Sequence, residues 1–231
     1  MTMSYTWLIF DADGTLFDYD RAEAAAFRRT FDQNGYSFAP EYADVYREVN
    51  SQIWREFERG EITADDLRVE RFARLFSRLE LDTDATAFSR DYLLNLGRQA
   101  DLIDGAAEVV AALHGRYQMI VLTNGLQDVQ RSRLAGCGLQ DYFAGIVISD
   151  EVGVAKPDPR IFDIAFQQMG NPPRNAVLMI GDGLSSDIRG AIGYGVDACW
   201  FNPHGATRPD GWPIRYEITR LTELLSLPAK E

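Results

Sequence analysis

Cysteine, histidine and long apolar runs are all scarce in this chain of 231 residues. Its two cysteines, Cys137 and Cys199, stand in apolar surroundings, and we expect buried free thiols, which suits a reducing cytoplasm. The two histidines, His114 and His204, lack Cys or His neighbours at metal spacing, which argues against a zinc site. No stretch approaches the roughly 18 apolar residues of a membrane span.

Lysine is also rare, since arginine fills 21 of the 23 basic positions and lysine occurs only at 156 and 230. Acidic residues number 35, which gives a net charge of −12. This balance argues against a binder of nucleic-acid polymers, which needs a basic face. It remains compatible with a small phosphorylated substrate held by a metal ion and a few local cations. Lysine at 156 suggests that a compact point charge is needed there, although a solvated surface lysine is the alternative.

The N-terminal residues, Met1 to Tyr5, carry no basic side chain, and the apolar run after them breaks at Asp11. We therefore expect no signal peptide. Apolar residues make up 46% of the chain and charged residues 25%, which excludes a disordered chain, a coiled coil and a collagen-like repeat. The length predicts one domain, or one domain with an insertion.

Five short apolar runs dominate the pattern outside residues 18–100. Continuous rather than alternating apolarity indicates strands buried on both faces, hence a parallel sheet with helices on either side. The sequence thus predicts an α/β fold, a Rossmann-like doubly wound parallel sheet. The predicted strands are Trp7–Phe10, Met119–Leu122, Gly145–Ile148, Val177–Ile180 and Ala198–Phe201, and the helix candidates are Gly105–Leu113, Asp128–Ala135, Arg160–Met169 and Ser186–Tyr194.

Residues 18–100 have a different pattern, without a comparable strand core. Helix-spaced apolar residues such as Phe72, Leu75, Phe76 and Leu79 recur there, and we interpret this aromatic stripe as packing. The chain is therefore predicted to consist of a catalytic core, residues 1–17 and 101–231, with a helical cap, residues 18–100, inserted after the first strand.

Polar residues follow four of the apolar runs, and ligands bind open α/β sheets beyond the carboxyl ends of their strands. Asp11 and Asp13 follow the first run and stand two apart on an extended segment, so both carboxylates can point one way, with Ala12 turned aside. Asp182 beside them would crowd several carboxylates together, which requires a cation, and oxygen-only ligation suits Mg²⁺. Asp187 could orient a metal-bound water or Lys156.

Structural alternatives exist for several of these polar residues. For Asp150 and Asp197 we favour turn formation or helix capping. Thr123 could simply cap the helix after it, and Asp187 could be a helix-start carboxylate. Other catalytic sites fail on spacing, since residues 181–186 match neither a P-loop nor a dinucleotide fingerprint and no nucleophile elbow for a Ser-His-Asp triad occurs.

Four ordered motifs carry a family resemblance. The residues DADGT at 11–15, Thr123-Asn124, Lys156-Pro157 and GDxxxxD at 181–187 resemble the motifs of the haloacid dehalogenase (HAD) superfamily over the whole chain. The insertion after the first motif is similar to the helical cap of one HAD subgroup. The resemblance implies a Mg²⁺-dependent phosphoaspartyl mechanism.

The roles implied by this resemblance fall on residues of the motifs. Asp11 would be the nucleophile, and Asp13 would protonate the leaving oxygen and later activate water. Thr123 and Lys156 would bind phosphoryl oxygens, with Asn124 beside them in substrate binding. Mg²⁺ would be held by Asp11, Asp182 and the backbone carbonyl of Asp13, with Asp187 supporting its waters. The second aspartate, Asp13, favours phosphate chemistry over dehalogenation.

A narrower resemblance comes from residues outside the motifs. The segments 50–54 and 58–63 are similar to the cap of bacterial house-cleaning pyrimidine 5'-nucleotidases. The core segments 199–203 and 216–218 also resemble those proteins. Asn50 and Trp54 are four apart and would share a helix face near the substrate, although Trp54 could equally be cap core.

Together these observations predict a cytoplasmic, Mg²⁺-dependent phosphomonoesterase that acts through an aspartyl phosphate, with pyrimidine nucleoside 5'-monophosphates as the expected substrates. The alternatives are a small sugar-phosphate or phosphoglycolate phosphatase, a phosphomutase, and, from another class, a catalytically silent binding module. We expect no membrane and no nucleic-acid polymer as partner, and the sequence leaves the oligomeric state open.

Overall fold

The central sheet is described by a computed structural model that covers residues 5–226 of the chain. Its six strands all run parallel to their neighbours in the order β3-β2-β1-β4-β5-β6, so the predicted doubly wound α/β fold is confirmed. The segment 1–4 and Lys230, which entered the expectations above, lie outside the described residues. The strands are β1 (Trp7–Phe10), β2 (Gln118–Thr123), β3 (Gly145–Ile148), β4 (Val177–Gly181), β5 (Asp197–Phe201) and β6 (Tyr216–Ile218).

Helices cover both faces of this sheet, which explains the continuous apolar runs. In β1, Leu8 and Phe10 pack into one buried layer, whereas Ile9 packs into the other. Cys199 is buried in the first layer as expected, but the expectation is wrong for Cys137, which is only partly buried; both are free thiols. The core helices are α5 (Ala106–Leu113), α6 (Gln127–Gly136), α7 (Ser149–Val152), α8 (Pro159–Gln168) and α9 (Arg189–Tyr194).

The last of these helices starts later than predicted. The segment Leu184–Ile188 is a π-helical turn, and α9 begins only at Arg189. The Ile188 N–H donates to the Gly183 carbonyl at 3.1 Å, the i to i+5 bond that characterises this wider winding. Asp187 therefore lies in this turn rather than in the first turn of an α-helix.

Residues between β1 and α5 form four helices around an apolar cluster of their own. Each of three helices begins with a side-chain cap: Asp18 for the first, the Thr63–Asp66 capping box for the third and Asp84 for the fourth. The predicted aromatic stripe is packing, as the buried side chains of Phe72 and Phe76 show. The four helices are α1 (Tyr19–Gln33), α2 (Pro40–Glu58), α3 (Ala64–Leu79) and α4 (Ala85–Gly97). No helix within residues 5–226 is long and apolar enough to cross a membrane.

Contacts with the sheet-bearing part hold this helical unit in place. Leu126 and Val129, at and near the start of α6, pack into its apolar cluster. Arg68 of α3 forms a bidentate ion pair with Asp150 of α7, at 2.6 and 3.2 Å. Asp150 also accepts from the Gln127 N–H at 2.9 Å, so it contributes more than the turn or cap role we favoured. Asp197 accepts from the Tyr5 hydroxyl at 2.6 Å.

Candidate active site

A cavity of about 210 Å³ lies at the carboxyl ends of β1, β2 and β4. Every side chain predicted from the sequence to act in catalysis, substrate binding or metal binding lines it. Four further residues, Tyr19, Gly125, Gly183 and Ser186, complete the wall. The predicted residues are Asp11, Asp13, Asn50, Trp54, Thr123, Asn124, Lys156, Asp182 and Asp187.

Asp11 is held at the floor of this cavity by the sheet itself. Its N–H donates to the Ile180 carbonyl at 2.9 Å, which continues the pairing of β1 with β4 by one residue. Ala12 is fully buried, while Asp11 and Asp13 both line the cavity, as the period of an extended segment requires. Burial raises the pKa of the Asp11 carboxyl well above its usual value, and the charge of Asp187 adds to this shift.

Asp182 reaches the same floor from the end of β4. Its Oδ1 accepts from the Thr15 hydroxyl at 3.1 Å, and the Asp182 N–H donates back to that hydroxyl at 3.1 Å. Gly14 permits this approach, because its φ of 79° is left-handed and a Cβ there would lie 2.5 Å from Asp182 Oδ2. The buried Trp200 indole N–H also donates to the Asp182 carbonyl at 3.0 Å.

Three carboxylates form a cluster that fits a divalent cation. Oxygen atoms of Asp11, Asp182 and Asp187 all lie within 4.8 Å of one another. Burial, together with the charge of Asp187, raises the pKa of Asp182 to about 7. The set is made only of carboxylate oxygens and repels itself when ionised, which is the donor chemistry that Mg²⁺ binds and neutralises. Asp187 belongs to the same cluster as the two carboxylates predicted as ligands, Asp11 and Asp182. Metal binding by the Asp13 backbone carbonyl stays a prediction.

Lys156 places its ammonium between two of these carboxylates. Its Nζ lies 2.5 Å from Asp11 Oδ1 and 2.6 Å from Asp187 Oδ1, and it donates to the Leu122 carbonyl at 2.7 Å. The residue is only 1% exposed, so the alternative of a solvated surface lysine is wrong. Burial disfavours its charge, but Asp11 and Asp187 outweigh this effect and raise the pKa of Lys156 above its ordinary value.

Asn124 and Thr123 lie at the carboxyl end of β2, and Asn124 positions Lys156. The Asn124 side chain holds the backbone of Lys156, accepting from its N–H at 2.7 Å and donating to its carbonyl at 2.9 Å. Thr123 accepts from the Gly125 N–H at 3.1 Å and does not cap α6, whose N-cap position is Leu126. The substrate contacts predicted for both residues stay predictions.

Asp13 is bound by two residues of α6 that the sequence did not reveal. Gln130 Nε2 donates to Asp13 Oδ2 at 2.5 Å, and Arg133 pairs with the other oxygen. The Arg133 guanidinium is fully buried, lies 4.3 Å over the Phe17 ring and donates from Nε to the Gln99 carbonyl at 2.8 Å. The sequence signal that could have identified these two residues is their position, because both lie on the buried face of α6.

Asn50 and Trp54 line the cavity from α2. The Asn50 Nδ2 lies 3.1 Å from Glu23 Oε2 and 3.3 Å from the Tyr19 hydroxyl. Trp54 packs edge-on against Phe57 at 5.7 Å and borders the apolar cluster of the four helices. It thus contributes both to packing and to the cavity wall.

Glu23 is a buried carboxyl with an unusual titration. Burial raises its pKa to about 7; the Tyr19 hydrogen bond is the largest opposing effect, while Asp20 raises the pKa further and Arg71 and Arg47 lower it. Its charged form is therefore disfavoured by folding.

We expect the stability contributed by Glu23 to fall as the pH rises. The folded-state pKa lies above that of the unfolded chain, so the folded protein binds this proton more tightly. The resulting stabilisation is present below about pH 4.5 and is lost as the pH rises through about 7. Relative to Glu23→Gln, wild type should lose about 2 kcal/mol of unfolding free energy between pH 5 and pH 8. Urea unfolding at both pH values measures this difference. Glu41→Gln, an exposed site on α2, is the matched control, and a pH-independent difference would contradict the expectation.

Comparisons with known proteins agree with this geometry. The model of the haloacid dehalogenase-like hydrolase family matches residues 5–195. The chain is 36% identical over 228 residues to the pyrimidine 5'-nucleotidase YjjG of Escherichia coli, covering 99% of this chain and 100% of that protein. It is 33% identical over 224 residues to the pyrimidine 5'-nucleotidase PynA of Streptococcus pneumoniae, covering 96% and 94% of the two chains.

A solved structure extends the comparison to three dimensions. The protein YfnB of Bacillus subtilis, crystallised with bound magnesium and described as showing interdomain movement, superimposes with a TM-score of 0.90 at 31% identity. The alignment covers 96% of this chain and 98% of that protein. Because the family model spans most of the chain and these relatives align over nearly all of it, the chain belongs to the haloacid dehalogenase-like hydrolase family and is a hydrolase.

Proposed function

We propose that this hydrolase is a Mg²⁺-dependent phosphomonoesterase that converts pyrimidine nucleoside 5'-monophosphates to nucleosides and phosphate. The observation that carries the proposal is the contact of the buried Lys156 ammonium with Asp11, beside Asp182 and Asp187, at the floor of one cavity. A nucleophile, a cation for the phosphoryl group and a metal-binding set are thus adjacent. The names of two relatives, both pyrimidine 5'-nucleotidases, support the substrate class.

In the proposed reaction an Asp11 oxygen attacks phosphorus, and the bond to the substrate's 5'-oxygen breaks. Asp13 gives a proton to that oxygen, so the nucleoside leaves neutral, and Asp11 carries the phosphoryl group. Asp13 then takes a proton from water, whose oxygen attacks phosphorus and releases phosphate from Asp11. Lys156 and Thr123 bind phosphoryl oxygens throughout and stabilise the charge that develops on them.

Gln130 and Arg133 fix the acid/base carboxyl of this scheme. Each donates to a different oxygen of Asp13, which leaves a second lone pair on each oxygen for the proton that is transferred. Magnesium, held by Asp11, Asp182, the Asp13 carbonyl and Asp187, would neutralise the crowded carboxylates and the phosphoryl group.

We further propose that residues 18–100 act as a cap over a core made of residues 1–17 and 101–231. The two connections between these parts run side by side, since the Asp18 N–H donates to the Asp101 carbonyl at 3.1 Å and Phe17 bridges to Leu102. A hinge at paired connections lets the cap open for substrate and close over the cavity.

A phosphate-release screen tests the proposed function. Purified protein is offered nucleoside monophosphates, sugar phosphates, phosphoglycolate and p-nitrophenyl phosphate, each with magnesium. We expect the highest kcat/KM among pyrimidine nucleoside 5'-monophosphates. Highest activity on a sugar phosphate or on phosphoglycolate would overturn the nucleotide assignment, and no phosphate release from any ester would overturn the enzyme assignment.

Metal removal gives an independent prediction. Chelation with EDTA should lower the rate at least about tenfold, and added magnesium should restore it, because the three carboxylates repel one another without a cation. Magnesium should also raise the Tm of the metal-free protein, since a ligand that binds only the folded state stabilises it. An unchanged Tm together with an EDTA-resistant rate would contradict the metal site.

A further inference from the structure

The side-chain amide of Asn50 is buried, oriented and incompletely bonded. The residue is 6% exposed and lines the active-site cavity from α2. Its Nδ2 is directed to Glu23 Oε2 and the Tyr19 hydroxyl, at 3.1 and 3.3 Å. Its Oδ1 has no hydrogen-bond partner among the described residues. Buried acceptors are nearly always paired, so this oxygen indicates a missing donor.

Glu23 determines which end of this amide is left over. The Asn50 Nδ2 donates to Glu23 Oε2 at 3.1 Å, so the Nδ2 end of the amide faces Glu23 and the Oδ1 end faces elsewhere. The Asn50 side chain, which lines the cavity, therefore has an acceptor rather than a donor left for a ligand.

The neighbouring wall of the cavity suits a flat ring. Trp54 stands one helical turn after Asn50 and lines the same cavity as a partly buried aromatic surface. Indole faces stack on nucleobases with little dependence on their identity, so stacking alone does not select among bases. A hydrogen-bond acceptor held near this indole adds selectivity, because it favours bases that carry a hydrogen-bond donor on the edge of the ring.

We infer that Asn50 Oδ1, held in place by Glu23 and Tyr19, accepts a hydrogen bond from the ring imide N–H of a uracil- or thymine-type base. The inference rests on the proposed function and names the substrate class within it. Asn50 contacts the base, whereas Glu23 is a positioning residue that acts through Asn50. A base without that N–H leaves the Asn50 oxygen unpaired in a closed site, which is how polar sites reject close analogues.

Two isomeric substrates isolate this hydrogen bond. 5-Methyluridine and 3-methyluridine 5'-monophosphate differ only in the position of one methyl group, which replaces the imide hydrogen in the second. For wild type we expect kcat/KM to be at least about tenfold higher for the 5-methyl isomer. In Asn50→Ala, which removes the acceptor and opens space, the two values should agree within about threefold.

Matched variants separate recognition from general damage. Gln52→Ala removes an exposed amide from the same helix and should keep the wild-type preference. Glu23→Gln can donate as well as accept, so the Asn50 amide is no longer fixed, and the preference should fall by at least about threefold. If Glu23 had a purely structural role, Glu23→Gln would instead lower kcat/KM for both isomers by the same factor. That result would show that Glu23 is not a positioning residue.

The outcomes distinguish this inference from the proposed function. If wild type hydrolyses both isomers equally well, the imide contact is overturned while the nucleotidase assignment stands. If wild type hydrolyses p-nitrophenyl phosphate but neither isomer nor any other nucleoside monophosphate, both are overturned. A preference that persists unchanged in Asn50→Ala overturns the assignment of the contact to Asn50.

Discussion

Replacing Asp11 by asparagine is expected to lower turnover by roughly 10³-fold or more, because an amide is a poor nucleophile toward phosphorus. The fold should persist, since the change is nearly isosteric and the backbone bond from residue 11 to Ile180 remains. Burial and the charge of Asp187 raise the pKa of Asp11, so its ionised form is disfavoured in the folded protein. The Tm of the metal-free variant should therefore equal or exceed that of wild type.

Steady-state kinetics and thermal unfolding of the same preparations measure both effects. Asp82→Asn, in an exposed loop, makes the same chemical change away from the cavity and should retain wild-type turnover. Residual turnover above about one hundredth of wild type in Asp11→Asn would contradict the nucleophile assignment.

The second large effect is expected at Lys156, where arginine should lower kcat/KM by about 10²-fold, or about 3 kcal/mol of transition-state stabilisation. The ammonium fits between Asp11 and Asp187, at 2.5 and 2.6 Å, and is almost fully buried. A guanidinium keeps the charge, but it is larger, planar and spread over several donors. It cannot occupy this point without moving the carboxylates that face it.

A neighbouring site controls for the exchange of one basic side chain for the other. Arg160→Lys alters an exposed ion pair with Asp158 and should leave kcat/KM unchanged. Circular dichroism establishes that Lys156→Arg is folded. A folded Lys156→Arg variant whose kcat/KM lies within about threefold of wild type would remove Lys156 from the site.

The sheet and the floor of the site could be predicted because burial leaves a local pattern. The run Trp7–Phe10 is apolar at every position because the two faces of β1 pack into two layers, and the polar residues at once after it mark the strand's carboxyl end. The short strand β6, with three residues at the sheet edge, has no such run and was not predicted.

The supports of the site could not be predicted, because they depend on which helices meet. Gln130 and Arg133 look like ordinary polar residues of a short helix, and only the packing of α6 beside the segment that follows β1 brings them to Asp13. In the same way, Glu23 and Asn50 are 27 positions apart and meet through the packing of α1 and α2. The rare lysine was the exception, since composition alone singled out Lys156.

The double use of α6 sets a rule for building chimeras within this family. One side of the helix, through Val129, belongs to the apolar cluster of the four inserted helices, while Gln130 and Arg133 bind Asp13. If a relative's insertion replaces residues 18–100, its helices must pack against an α6 surface that complements the original helices. A functional chimera must therefore take the residues equivalent to Leu126 and Val129 from the donor protein and keep Gln130 and Arg133 unchanged. The boundary between exchanged and retained residues then runs along one helix and not between two segments of chain.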